Sequence, residues 1–458
     1  MKTIYSIKLL AITCVCVLAS CKKFTQTDLP STQLASSAVF QSDATAQAAL
    51  GSLYVNSSNF TGGSFYSPSI LGAQSSDETD NWSTSLAVQQ VAGAQLIPSN
   101  SYSTTLWGSC YQTIYYANAI LEGTEGNPSL SAKTVAQLQG EALFFRALAH
   151  LTLTGFFGKV PIVLSTDYSK NNQLARSTVD QVLASVVSDL EKASPLLEAD
   201  YAVAGGERIR ANRFAAKLLL ARTSLYQGNW VQAENYATDV VNSSQYGLVL
   251  LNEVFLKNSK ETVLALKPFS GTTNSGEGNI FVITAKPTYI ALRKGFYDGF
   301  ESGDQRKTAW TAKLTTGGTD YYYPAKYKVK NSATVTEYSV ILRLAEAYLV
   351  RSEARIHLDK LPLAIADLDM LRARAALPRF AVTNPGIGKD ALLEAVLMER
   401  RSELFTEWAH RWIDLKRFAK NSAVLSPIKP GYQPTASLYP VPQSEININK
   451  NLEQNPGY

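Results

Sequence analysis

Two stretches of the chain repeat one design, and they limit the possible folds more than any other feature. In 212–226, Phe214, Leu218, Ala221 and Leu225 recur at spacings of four, three and four, which places them on one face of an α-helix. Gly228 and Asn229 read as the glycine that ends this helix and the cap that starts the next, whose shared face holds Trp230, Ala233, Ala237 and Val240. Residues 341–358 set Leu342, Ala345, Leu349, Ser352 and Ile356 on a second seam. Pro362 suits the first turn of the following helix, lined by Ala364, Leu368, Leu371 and Ala375. Hairpins of about 30 and 35 residues, with small residues at their crossing points, match tetratricopeptide-type hairpins in size and style, without the full repeat signature. Helical patterns also cover roughly 42–56, 105–121, 134–155, 178–197 and 389–419. The expected fold class is mainly α: a helical-repeat scaffold with long loop-rich excursions and a few short strands.

The excursions differ in composition. Residues 57–104 are rich in Ser, Gly, Asn and Tyr, and residues 250–338 hold many Gly, Thr and aromatic residues, with strand-like pieces at 262–267 and 321–329. Residues 420–458 are proline-rich and carry no helix pattern. Loops on a rigid scaffold commonly carry binding residues. The expected layout after residue 20 is therefore a single domain, 21–458. It comprises a tether (21–35), an N-terminal helical part (36–249), a variable ligand region (250–338) and C-terminal helices with a Pro-rich tail (339–458).

The first residues read as an address. Lys2 and Lys8 precede Leu9 to Ala19, an apolar run of 11 residues. A spanning helix needs about 20, so the run fits the core of a signal peptide, residues 1–20. It ends Leu18-Ala19-Ser20-Cys21, which resembles a bacterial lipobox: cleavage before Cys21 and acylation of that residue. Stable anchoring needs more than one acyl chain. Lys22 follows, with no acidic residue beside it of the kind that signals inner-membrane retention. With Cys14 and Cys16 removed and Cys21 acylated, Cys110 is the one free thiol, which excludes a disulfide framework.

Composition removes other classes. At 458 residues, 45% hydrophobic and 18% charged, the chain is neither a disordered tail nor a fibre. A net charge of +5, from 43 basic and 38 acidic residues, is too balanced to imply nucleic acid. Three histidines leave little material for a metal site.

Arg400, Glu403, Glu407, Arg411 and Asp414 fall at helical spacing and are expected to form one charged stripe along a helix, opposite Leu397, Leu404, Trp408 and Leu415. Carboxylates interleaved with Arg are driven toward ionisation, which suits a structural ion-pair network and not the general acid of a glycosidase. Glu407-x-x-His410 is half of a di-iron motif with no second copy, and reads as a hydrogen-bonded helical His. No Gly-x-Ser-x-Gly elbow or phosphate-binding loop occurs. Catalytic residues, cofactors and metal ligands are accordingly expected to be none. Sugar capture asks for flat aromatic surface beside a few placed polar groups. Two segments offer the mixture: Glu78-Thr79-Asp80-Asn81-Trp82, and the stretch with Tyr289, Arg293, Phe296, Tyr297, Asp298, Phe300 and Trp310. The candidate ligand residues are Asn81, Trp82, Tyr289, Arg293, Phe296, Tyr297 and Trp310, set against the alternative that both tryptophans are local loop core.

Ordered motifs run through the whole chain. They include Trp107…Tyr111…Ile114…Asn118, Glu141-Ala142-Leu143-Phe144-Phe145-Arg146-Ala147 and Phe157-Gly158-Lys159-Val160-Pro161. Arg343-Leu344-Ala345-Glu346-Ala347-Tyr348-Leu349, Glu399-Arg400-Arg401 and His410-Arg411-Trp412 follow, then Tyr439-Pro440-Val441-Pro442 and Asn455-Pro456-Gly457-Tyr458. In this order and spacing the chain resembles the SusD/RagB family of Bacteroidetes outer-membrane lipoproteins. One departure is Ala409, where that family often has Gly; a helix accepts Ala better than Gly, so no cost is expected. The resemblance implies a non-enzymatic, lipid-anchored binding protein at the outer membrane, facing the cell exterior. It implies a glycan ligand, or a peptide in some branches, and a partner in a SusC-like TonB-dependent transporter barrel that the protein closes as a hinged lid. It also marks Asp304-x-Arg306 as a structural element. The competing readings are a surface glycoside hydrolase and a pure protein-binding scaffold.

Overall fold

The computed structural model describes residues 39–61, 64–268 and 274–458. Cys21, the signal segment and the tether lie outside the described residues. The scaffold is a stack of helices: α1 (Asp43–Thr61), α2 (Ser101–Thr124), α3 (Ala132–Phe157), α4 (Val179–Leu196), α5 (Arg213–Tyr226), α6 (Trp230–Val241), α7 (Leu344–His357), α8 (Leu361–Arg374) and α9 (Lys389–Glu403). Each packs on the next, and α7 also meets α9, so α6 and α7 are neighbours although about a hundred residues of chain leave and return between them. The mainly helical, repeat-like fold follows the periodicity. The starts of α2 to α6 are set by side-chain caps that take up otherwise orphaned backbone N–H groups. Asn100 Oδ1 accepts from Tyr102 N at 2.9 Å, Thr178 and Gln181 form a reciprocal capping box, and Asn229 accepts from Gln232 N as expected. Gly228 sits at φ +72°, the left-handed conformation of a helix-ending glycine. The α5–α6–α7 junction buries Ala221, Leu225, Ala233, Ala237, Val350 and Ala354, and Trp230 stacks on His357 at 3.8 Å.

Among the described residues six short strands complete the fold: β1 (Thr79–Asn81), β2 (Thr262–Leu266), β3 (Ile290–Leu292), β4 (Thr311–Thr316), β5 (Thr319–Pro324) and β6 (Ser339–Arg343). One antiparallel sheet runs β1-β3-β5-β4, and β2 pairs with β6. The β4–β5 hairpin closes through Gly317-Gly318, at φ +58° and +76°, between the paired Thr316 and Thr319.

Three expectations need correction. The stretch 57–104 is not all loop: Pro68–Ser75 is a fully buried helix, and Leu86–Ala92 is a second helix that buries Val88 and Val91. The Pro-rich tail contains short helices at Asn421–Leu425 and Gln443–Ile448. Most consequential, 389–419 is not one helix. Helix α9 ends at Glu403, and α10 (His410–Arg417) starts after a turn in which Thr406, Trp408 and Ala409 all have positive φ. Ala409 lies at φ +58°, where a Cβ is strained, so glycine would be the easier residue here and the expectation of no cost is reversed. The turn is forced by packing. Helix Pro68–Ser75 approaches it so closely that a Cβ on Gly72 would stand 2.4 Å from Ala409 Cα.

Candidate ligand-binding face

The segment 77–82 is hung from the α9–α10 turn by buried charge. Arg411 grips Asp77 through two bonds, 2.7 and 3.0 Å, and Glu78 accepts from Thr406 N at 3.1 Å. Burial pushes Asp77 up, but Arg411 and then Arg401 hold it below the usual carboxylate range. Glu78 has no such cation in contact, and burial with the nearby Asp77 charge pushes it up to about 7. From this anchor β1 runs outward along β3. Arg293 N donates to Glu78 O, Arg293 Nη1 reaches Asp80 at 2.7 Å, and Trp82 N donates to Tyr289 O at 2.7 Å.

The result is an aromatic surface with a paired charge beside it. Trp82 is 40% exposed and stands edge-on to Tyr321 of β5, centroids 5.0 Å apart. Tyr289 is half-buried; its hydroxyl accepts from Gln74 Nε2 at 2.7 Å and its ring meets Phe65, itself 43% exposed, at 4.8 Å. Tyr66 and Tyr102 pack alongside at 5.1 Å.

Trp82, Tyr289 and Arg293 are thus brought together. Asn81 is adjacent but occupied: its Oδ1 accepts from Ser83 N and its Nδ2 donates to Ser83 O. Tyr297 is elsewhere. It stacks on Tyr322 at 4.1 Å with Lys307 over its ring, and Tyr322 points to the sheet face opposite Tyr321 because neighbouring strand residues alternate. Phe296 and Trp310 are corrections. Phe296 is 1% exposed among Phe300 and Phe405, and Trp310 is fully buried with its indole N–H donated to Leu251 O at 2.8 Å, so both are core and neither can face a ligand. Phe65 and Tyr321 went unnoticed in the sequence. Tyr321 lay inside a strand-like piece whose partner strand carries the Trp82 segment only through long-range pairing, which no local pattern reports.

The five residues expected on one stripe are separated by the α9–α10 turn and take partners from other segments. Arg400 pairs with Asp414 at 2.7 Å and Arg411 with Asp77. Glu403 meets Arg343 (2.6 Å), Arg306 (3.0 Å) and Arg374, and Glu407 meets Arg343 (2.7 Å) and Lys326. Glu261 joins Arg343 at 2.8 Å and Arg374 at 2.5 Å, and Asp304 and Glu399 close the cluster on Arg306. Burial pushes Glu403 up, yet Arg374, Arg343 and Arg306 together hold it well below its ordinary value. His410 is not hydrogen-bonded as expected. Its Nδ1 has no partner among the described residues, Nε2 stands 4.0 Å from Glu346, and burial beside Arg222 and Arg400 keeps the ring neutral. Among the described residues no cluster of three or more His, Cys, Asp or Glu could hold a metal, and no helix is long and apolar enough to cross a membrane.

Two family models match the chain. One, described as starch-binding and associating with outer membrane, spans residues 32–225; the other, described as SusD family, spans residues 297–433. The chain belongs to the SusD family. Among SusD relatives, the SusD-like protein P25 of Formosa agariphila is 22% identical over 433 residues, covering 81% of this chain and 80% of that one. The starch-binding protein SusD of Bacteroides thetaiotaomicron is 24% identical over 476 residues, covering 82% of each. A SusD superfamily structure from Bacteroides vulgatus superposes with a TM-score of 0.79 at 21% identity, covering 92% of this chain and all (100%) of that one. A laminarin-binding SusD-like protein gives 0.76 at 24% identity, covering 91% of this chain and 100% of that one.

Proposed function

We propose that this protein is a surface-exposed, lipid-anchored binding protein that captures an oligosaccharide or polysaccharide and delivers it to a TonB-dependent outer-membrane transporter. The observation that carries the reading is the exposed Trp82 ring braced on Tyr321 beside the Asp80–Arg293 pair, on a SusD-family scaffold. The ring covers the apolar face of a pyranose, and the charged rim accepts and donates to its hydroxyls. The starch- and laminarin-binding descriptions of two relatives support a glycan as the ligand. Capture is favoured over cleavage by the local carboxylates. Glycoside hydrolysis needs two carboxyl groups facing the sugar, whereas Asp80 is engaged by Arg293 and Glu78 is sealed beneath the face. In this reading residues 1–20 leave, Cys21 carries the lipid and the chain works without cofactor.

The test uses the chain from Lys22 onward, which keeps every described element, in affinity gels and calorimetry with laminarin, starch, other polysaccharides and peptides. Binding of at least one glycan, weakened roughly tenfold (about 1.4 kcal/mol) by Trp82→Ala, is expected. Failure to bind any glycan overturns the glycan reading, with peptide binding redirecting it, and release of shortened product would make the protein a hydrolase. Loss of membrane association in a Cys21→Ala chain checks the anchor.

A further inference from the structure

A second pocket lies away from the ligand face, on the opposite stretch of α2. Trp107, Tyr111 and Tyr115 recur every fourth residue and so share one helix face. They line a depression of about 180 Å³ whose other walls are the 161–172 segment and the C-terminal helix Gln443–Ile448. Trp107 is buried and tilted against Tyr111 at 5.0 Å, and the Tyr111 hydroxyl is committed to Pro161 O at 2.9 Å, so these two rings form a fixed floor. Tyr115 is 52% exposed at the rim, and its hydroxyl has no hydrogen-bond partner among the described residues. Among the described residues half-buried Asn172 likewise has an uncommitted side-chain amide, and half-buried Glu445 has only the Trp107 indole as a side-chain hydrogen-bond partner. Flat aromatic surface, one amide and one carboxylate with spare hydrogen-bonding capacity are what a sugar ring demands, and the volume suits a single ring rather than a drug-sized ligand.

We infer that this pocket is a second carbohydrate subsite, holding one pyranose unit of the same polysaccharide that the Trp82 face binds; the inference rests on that reading. Tyr102, against the first face, and Tyr115 lie 13 residues apart on the one helix, about 20 Å along its axis and on nearly opposite sides of it. Only a polysaccharide long enough to run past this rise and around the helix engages both places at once, and an oligosaccharide of two or three units does not. Linking two contacts along one ligand raises apparent affinity without strengthening either.

The experiment compares the chain from Lys22 with Tyr115→Ala/Asn172→Ala and with Trp82→Ala, using laminarin and starch alongside laminaritriose and maltotriose. Tyr115 is exposed and Asn172 half-buried, so circular dichroism and the trisaccharide affinity both report an intact fold. The expected result is a drop of about tenfold in affinity for the long polymer with the trisaccharide affinity unchanged. Equal polymer affinity in the double variant, with the Trp82→Ala loss intact, overturns the subsite and leaves the main face standing. Unchanged polymer affinity with reduced retention on outer-membrane fractions overturns it in favour of protein docking. If the unsubstituted chain binds neither polymer, both readings fail together.

Discussion

The stack from α2 to α6 and the excursion from residue 242 to 343 are held together in different ways. The stack buries Leu, Phe and Ala faces, with Phe144, Phe145, Leu148, Leu218 and Leu219 all essentially sealed. The excursion has its own small aromatic core around Phe255, Phe296 and Trp310, but its attachment to the C-terminal helices runs through Arg306, Lys326 and Arg343, each fully buried on carboxylates from α9 and the α9–α10 turn. Apolar contact is forgiving, because its strength is spread over many weak contacts. A buried ion cluster is not. Its net stabilisation is modest, yet removing one member leaves its partners charged and unpaired. The lesson is that the scaffold is stabilised by surface area while the excursion is located by charge.

The largest test of that contrast sets Phe145→Ala against Arg343→Met. Each is expected to cost about 3–5 kcal/mol, one through a cavity and the other through orphaned Glu403, Glu407 and Glu261. The site of loosening should differ. Hydrogen exchange is expected to accelerate throughout the stack in Phe145→Ala, but chiefly in 262–343 and the 77–82 segment in Arg343→Met. The same exchange pattern in both variants would break the comparison.

A second test concerns pH. Glu78 is pushed up to about 7 from its ordinary 4.5 by burial and by Asp77. The folded value lies above the unfolded one, so its contribution is fully present below pH 4.5 and is lost as pH rises through about 7. Glu78→Gln, which keeps the acceptor for Thr406 N, is expected to match the parent near pH 4.5 and to exceed it by about 1–3 kcal/mol at pH 8, read by urea denaturation. A gap independent of pH would mean that the carboxyl is solvated.

The smallest effect is expected at Ala409. Ala409→Gly relieves a left-handed alanine and should raise stability by about 0.5–1 kcal/mol after the added freedom of the unfolded chain is counted. A lower melting temperature would show that the methyl packs for more than its strain costs.

What could be read in advance follows the same division. Helices α4 to α8 were legible because their apolar residues repeat locally, and Gly228 and Asn229 mark an end and a start by their own chemistry. The break between α9 and α10 was invisible for a physical reason. Leu397, Leu404 and Leu415 keep helical spacing across it, and the contacts that hold the turn come from Ser69, Gly72 and Glu78, more than three hundred residues earlier. Trp82 could be singled out with its polar neighbours. Trp310 has the same composition around it and opposite burial, since exposure depends on which distant strand covers a ring. The partners of Glu403 come from residues 306, 343 and 374, and no charge pattern within one segment specifies such a choice.

The clasp between Arg411 and Asp77 also bears on the order in which the chain acquires its shape. A chain leaves synthesis N-terminus first, so α2 to α6 can condense from neighbouring sequence while the rest is still being made. Asp77 and Glu78 are among the earliest residues out, yet their partners lie some 330 positions later. The 77–82 segment therefore has no fixed seat until almost the whole chain has been made, and the proposed binding face is the last part of the molecule to set.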